Sequence, residues 1–186
     1  MKSLLFGAAA LALASSAAHA GIVGTTVTIN YLFPDFGTVY SSSVVPVPTN
    51  PTTLSCTPGG AGICLPFAEN ALFTITDNSF TVSEDAGSSY TPATFNGIEY
   101  VDSGIHISGV TLTTNLPGLT AADVGFSPNA VWYNAQGLDF TSASYFVTLT
   151  VTTVPELSTW AMLLLGFAGL GFAGYRTSRR SAPIAA

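Results

Sequence analysis

Chemistry in this chain could come from two cysteines, one histidine, scattered carboxylates and an aromatic pair. Cys56 and Cys64 lie in the turn-rich stretch SCTPGGAGICLP. In an oxidising compartment such a pair closes a small disulfide, which stabilises by about 2.5 kcal/mol in the chain-entropy account. The other use, a metal site, is poorly served by two thiols with no histidine nearby. His106 alternates with Ile105 and Ile107, so a strand would project it from the opposite face. No Cys/His or Ser/His/Asp motif accompanies it, and FSPNA and NAQG read as turns, not as nucleophile elbows. Glu84-Asp85 is the only adjacent acidic pair, and Asp77, Glu99, Asp102 and Asp139 are scattered among turns. A glycosidase needs two carboxylates facing across a cleft, which spacing alone does not establish. Calcium is the cofactor such loops would suit, because Asp, Asn and carbonyl oxygens match a hard cation, but no EF-hand or repeat signature is present. Trp132-Tyr133 lies between SPNAV and NAQG. Neighbours on a strand point to opposite faces, so one ring is expected in the core while the other could stack on a sugar. No catalytic constellation is visible, and the chain reads as a non-enzyme without a resident cofactor.

The elements that must position these residues are strands. TVTINYLF places Val27, Ile29, Tyr31 and Phe33 on one face, and SYFVTLTVTTV places Tyr145, Val147, Leu149 and Val151 opposite a row of Phe and Thr. ALFTITDNSFTVSE gives two short strands around Asp77-Asn78. Asn96-Gly97 in TFNGIEYV is the strongest short hairpin signal. In GIHISGVTLTT the apolar parity changes at Gly109, which predicts a β-bulge. Only GLTAADVGF reads as helical, with Thr120 capping one turn and Asp123 three residues on. VVPVPTNPTTLSCTPGGAGICLP reads as a long connection. The pattern predicts an all-β ectodomain, an antiparallel β-sandwich of about seven to ten strands, with no second domain and no internal repeat.

Charge is distributed just as unevenly. Nine carboxylates and no Lys or Arg lie between Gly21 and Val154. Nothing there offsets phosphate repulsion, so nucleic acid is excluded as a partner. The basic residues sit at the ends. Lys2, the apolar LLFGAAALALA and the small-x-small AHA, Ala18 to Ala20, have the order of a secretory signal peptide over 1–20. Signal peptidase would cut between Ala20 and Gly21 and remove His19. At the other end, Trp160 to Tyr175 carries no charge over sixteen residues and is followed by Arg176, Arg179 and Arg180. As a helix it would be roughly 24 Å long, a little short of the ~30 Å hydrocarbon core, with an aromatic at each end for the headgroup level. Arginines in that place stop transfer and stay on the cytoplasmic side, which puts the bulk of the protein outside. GFAG occurs twice, at Gly166–Gly169 and Gly171–Gly174, without a Gly-x-x-x-Gly spacing.

VPELSTWAMLLLGFAGLGFAGYRTSRR, about 27 residues, resembles a PEP-CTERM sorting signal of the Trp-Ala subtype. The matching positions are Pro155, Glu156 and Leu157, then Trp160 and Ala161, with Leu157 standing where the family has Pro. The resemblance implies an N-terminal signal peptide, export by a Gram-negative bacterium and processing at the motif by exosortase, a membrane cysteine transpeptidase. It also implies a setting in exopolysaccharide or biofilm. A plain, unprocessed membrane anchor is the alternative for the same residues. The resulting organisation is a signal peptide at 1–20, a sandwich at 21–153, a sorting signal at 154–180 with a transmembrane helix at 160–175, and a cytoplasmic tail at 181–186. The expected function is that of a non-catalytic surface or matrix protein, membrane-anchored as a precursor. A carbohydrate-binding module is the alternative.

Overall fold

Alternating apolar and hydroxyl-bearing residues mark several of the strands, most clearly over 79–83 and 147–152. The computed structural model describes residues 21–55, 71–87, 89–154 and 157–180. Ten strands form: β1 Thr26–Leu32, β2 Val39–Pro46, β3 Thr52–Ser55, β4 Leu72–Ile75, β5 Ser79–Glu84, β6 Gly97–Asp102, β7 Ile107–Thr114, β8 Val124–Ser127, β9 Ala130–Asn134 and β10 Tyr145–Thr153. They make two five-stranded antiparallel sheets, ordered β2-β1-β6-β9-β8 and β3-β4-β5-β10-β7. The inward rows of the two sheets share one core. Val27, Ile29, Ile98, Tyr100, Val131 and Tyr133 come from the first, and Phe73, Ile75, Phe80, Val82, Val147 and Leu149 from the second. Each such burial is worth about 1.5–3 kcal/mol, so the period-two pattern fixes register as well as face.

β10 follows its predicted alternation along its length, with Tyr145, Val147, Leu149 and Val151 all buried. β4 and β5 flank Asp77-Asn78 as the sequence implies. The parity change near Gly109 is a bulge, one residue earlier than expected. Thr152 faces Gly109 and Thr153 faces Ile107, leaving Ser108 as the extra residue. Thr120 and Asp123 bracket a single 3-10 turn, Ala121–Asp123, and the Asp123 carboxylate accepts from the Thr120 N–H at 2.9 Å and hydroxyl at 2.8 Å.

Three local expectations are corrected. Asn96-Gly97 is not a hairpin turn. Gly97 opens β6 between Leu32 and Asn134, and Asn96 is buried, its amide donating to the Thr91 carbonyl at 2.8 Å. Glycine is needed at 97 because the Tyr133 carbonyl oxygen comes within 1.9 Å of where a Cβ would stand. In β1 the alternation ends early. The register shifts between Tyr31 and Leu32, so Leu32 is buried and Phe33 lies past the strand end. The long connection from Val44 contains β3, which pairs with β4.

After Val154 the chain forms α1, Leu157–Arg180, a helix of 24 residues. It covers the predicted run over 160–175. Among the described residues no helix is long and apolar enough to cross a membrane. The uncharged run, Leu157 to Tyr175, is nineteen residues and holds four glycines.

Candidate functional site

The side chains with functional potential fall in three places: the outer face of the first sheet, a hydroxyl network between the sheets, and α1.

On the outer face, register aligns a row across five strands. Ser42 pairs with Asn30, Asn30 with Glu99, Glu99 with Trp132, and Trp132 with Gly125. The Ser42 hydroxyl donates to Asn30 Oδ1 at 2.7 Å, and Asn30 Nδ2 donates to Glu99 Oε2 at 2.9 Å. The Trp132 indole lies over Gly125, where a Cβ would come within 2.6 Å of the ring. Phe36, from the β1–β2 loop, is 43% exposed and meets Trp132 at 4.7 Å and Phe95 at 5.1 Å between ring centroids. Tyr133 faces the core, fully buried. The pair therefore divides as expected, with the tryptophan half-buried on the outer face. A ring platform beside an amide, a carboxylate and a hydroxyl can stack on and hydrogen-bond a polar ring.

Between the sheets, Tyr90 enters from a loop. Its hydroxyl bonds Tyr133 of the first sheet at 3.1 Å and Tyr145 of the second at 2.7 Å. Its backbone is held by the Leu138 carbonyl and the Gly137 N–H. Tyr145 continues the chain to the Glu84 carboxyl. Burial pushes Glu84 up to about 7, the hydrogen bond from Tyr145 offsetting part of the rise. Burial likewise raises Tyr90, Tyr133 and Tyr145. Tyr100 is raised by burial too. It stacks on Phe80 at 4.7 Å, and its hydroxyl meets no hydrogen-bond partner among the described residues. This network was missed at the sequence level, though Glu84 continues the inward row of Phe80 and Val82, and that phase was available to read. The adjacent acid Asp85 is exposed, so the pair splits between two environments.

Other acids are occupied structurally. Asp102 is buried, accepting from the Thr25 hydroxyl at 2.5 Å and the Gly104 N–H at 2.8 Å. Burial raises it, and those two bonds oppose the rise. Asp77 binds the start of the described chain: its carbonyl accepts from Ile22 N–H at 2.9 Å and its carboxylate from Val23 N–H at 3.3 Å. Gly21 is packed so closely on Asp77 that a Cβ would fall within 2.0 Å of Oδ1. Asp139 accepts from the Thr141 N–H at 2.7 Å, which lowers its carboxyl. Among the described residues no three His, Cys, Asp or Glu side chains gather as a metal site. His106 is exposed between buried Ile105 and Ile107, on the face the alternation predicted.

Of the tail residues, Leu157 and Trp160 lie within α1, Ala161 and Arg176 are exposed on it, and Arg179 and Arg180 close it. Three arginines in the last turns oppose the negative end of the helix dipole. Every described residue of α1 from Ala161 to Arg176 is exposed, Leu165 to 70% and Leu170 to 72%. Pro155 and Glu156, the pair Cys56 and Cys64, the signal segment 1–20 with Ala20, and 181–186 lie outside the described residues.

Comparison with protein-family models, with curated proteins and with solved structures finds no match.

Proposed function

We propose that the chain is an exported, non-catalytic surface or matrix protein whose sandwich is the cargo and whose tail is a sorting signal. One observation carries this reading: a 24-residue helix with an uncharged apolar run exposed on all described sides, ending in an arginine cluster, follows a sandwich rich in carboxylates. A helix apolar all round is stable only when something covers it, and four glycines make it weaker still in water. Lipid is the cover that suits it. A run shorter than the bilayer can be accommodated by local thinning and by arginines reaching for the interface. The resemblance to a PEP-CTERM signal then assigns processing near Pro155-Glu156-Leu157 to exosortase, with signal peptidase acting at Ala20-Gly21. The setting is the outer surface or exopolysaccharide of a Gram-negative bacterium, and the Cys56–Cys64 disulfide belongs to that oxidising route. The test is the mass of the protein recovered from culture. A chain starting at Gly21 and ending near the motif, with or without an added group, supports the reading. An intact N-terminus overturns export, and an intact tail overturns processing.

A second reading, a carbohydrate-binding module, has its own support in the outer placement of Trp132 beside Phe36, Glu99 and Asn30. Titration with neutral polysaccharides while following indole fluorescence tests it: a saturable change abolished by Trp132→Ala supports it, and no change across neutral polysaccharides rejects it.

A further inference from the structure

The segment that opens the sandwich is fixed to one acidic residue. Gly21 and Ile22 are both buried, Ile22 within the core. The Ile22 N–H donates to the Asp77 carbonyl at 2.9 Å, and the Val23 N–H donates to Asp77 Oδ1 at 3.3 Å. The next residues are tied down as well: the Gly24 N–H donates to the Val47 carbonyl at 2.7 Å and the Thr25 N–H to the Ile22 carbonyl at 3.1 Å. Asp77 lies exposed in the turn between β4 and β5. A Cβ on Gly21 would stand 2.0 Å from Asp77 Oδ1 and 2.6 Å from Oδ2. Cβ and N lie about 2.5 Å apart across their shared Cα, so the Gly21 nitrogen is within about 4.5 Å of Oδ1. Only a residue without a side chain leaves the carboxylate where it stands.

Charge gives this approach its meaning. The sequence from Gly21 to Val154 holds nine carboxylates and no Lys or Arg, so no basic side chain of the sandwich can pair with Asp77. A cut between Ala20 and Gly21 makes a cation on the residue packed against that carboxylate. An α-amino group is mostly protonated at neutral pH, whereas the uncut chain has a neutral amide at the same nitrogen.

We propose that the amino group created by signal peptidase docks on the Asp77 carboxylate, so that processing itself supplies an ion pair joining the start of the mature chain to the β4–β5 turn. The position of the cut rests on the export reading above. Asp77 is then an amine-binding site whose ligand is the protein's own new terminus. The docking also shields the only primary amine of the mature chain, because Lys2 leaves with the signal and no other lysine is present. Amine-reactive groups, the aldehydes of reducing sugars among them, then meet no accessible amine on the folded protein.

That single amine is also the reporter for the test. The chain from Gly21 to Ala186, released from a cleavable leader so that Gly21 is its first residue, is held in a mild detergent. An amine-acylating reagent is added near neutral pH, and the rate of labelling is read by mass. Labelling is expected to be at least tenfold slower on the native chain than on the chain unfolded in urea. Asp77→Asn keeps a side-chain oxygen for the Val23 N–H but removes the charge, and should speed native labelling at least threefold. Gly21→Ala, whose methyl pushes the carboxylate aside, should do the same and serves as the second variant if Asp77→Asn does not fold. A chain beginning at Ala20 carries its amine one residue, about 3.8 Å, farther out and should label fast with or without Asp77→Asn. Equal rates on native and unfolded chains overturn the proposal. So does protection that survives a folded Asp77→Asn or Gly21→Ala, or that is equal in the chain from Ala20. Because the leader fixes the first residue, an error in the export reading shows in the mass from culture and an error here shows in the labelling.

Discussion

In the sandwich, Phe73, Phe80 and Tyr100 are each 1% exposed; in α1, Leu164, Phe167 and Phe172 are 66%, 64% and 67% exposed. Both regions are rich in large apolar residues, but only the first covers them with its own chain. The difference lies in periodicity. Alternation at period two gives each strand one face to bury and one to wet, so two sheets satisfy each other. The run in α1 has apolar residues on every side of a helix and no polar face to turn outward, so its cover must come from elsewhere. Charge follows the same division: the sandwich has carboxylates without a Lys or Arg, and the helix ends in arginines. One chain thus holds a part that covers its own apolar residues and a part that leaves them exposed.

The sharpest way to break this comparison is to separate the parts. A chain stopping after Val154 should move from the membrane fraction to the soluble fraction almost completely and keep a β-type circular dichroism spectrum. A spectrum dominated by disorder would mean that the sandwich depends on the helix. Truncating apolar residues should next divide the regions by energy. Phe80→Ala removes a ring stacked on Tyr100 and should cost about 3–5 kcal/mol of unfolding free energy. Leu170→Ala, on the exposed helix, should leave the same denaturant midpoint unchanged.

A smaller effect concerns pH. Glu84 has a folded value of about 7 against an ordinary 4.5, so the folded state holds the proton more tightly than the unfolded one. Below 4.5 the carboxyl is protonated in both states and costs nothing. Stability should fall as pH rises from 4.5 to about 7 and then level off, by at most about 3 kcal/mol for this group. Tyr145, Tyr90, Tyr133, Tyr100 and Tyr31 are the titratable groups coupled to it, and all stay protonated in that range. Glu84→Gln should flatten this slope and raise the melting temperature at pH 8; an unchanged slope would mean that the carboxylate is well solvated. Smallest is the cap: Asp123→Ala should cost about 1 kcal/mol by freeing the Thr120 N–H, read from a denaturant midpoint.

The strands were legible where alternation is long and uninterrupted, as in β10. They were less so where a local signal competed with tertiary packing. Asn96-Gly97 has the composition of a turn, but Gly97 is needed for the close approach of Tyr133, a contact distant in sequence. The shift at Leu32 depends on the pairing with Val39 and could not be read from β1 alone. On the candidate face, Trp132 was nameable from the sequence, whereas its row was not. Ser42, Asn30 and Glu99 lie on three separate strands, and only register brings them together. Glu84 was legible in principle from its phase with Phe80 and Val82, but an acid in an inward position is an unusual expectation without the tyrosines that receive it.

The claim on which the rest turns is that α1 and the motif before it form a transient membrane address. Its most direct measurement is the fate of an epitope placed after Arg180, followed in a host with exosortase and in the same host lacking it. The account predicts that the epitope is lost from the sandwich only when the enzyme is present, and that Glu156→Ala slows the loss. Retention of the epitope to the same extent in both hosts would contradict it and leave α1 as a permanent anchor.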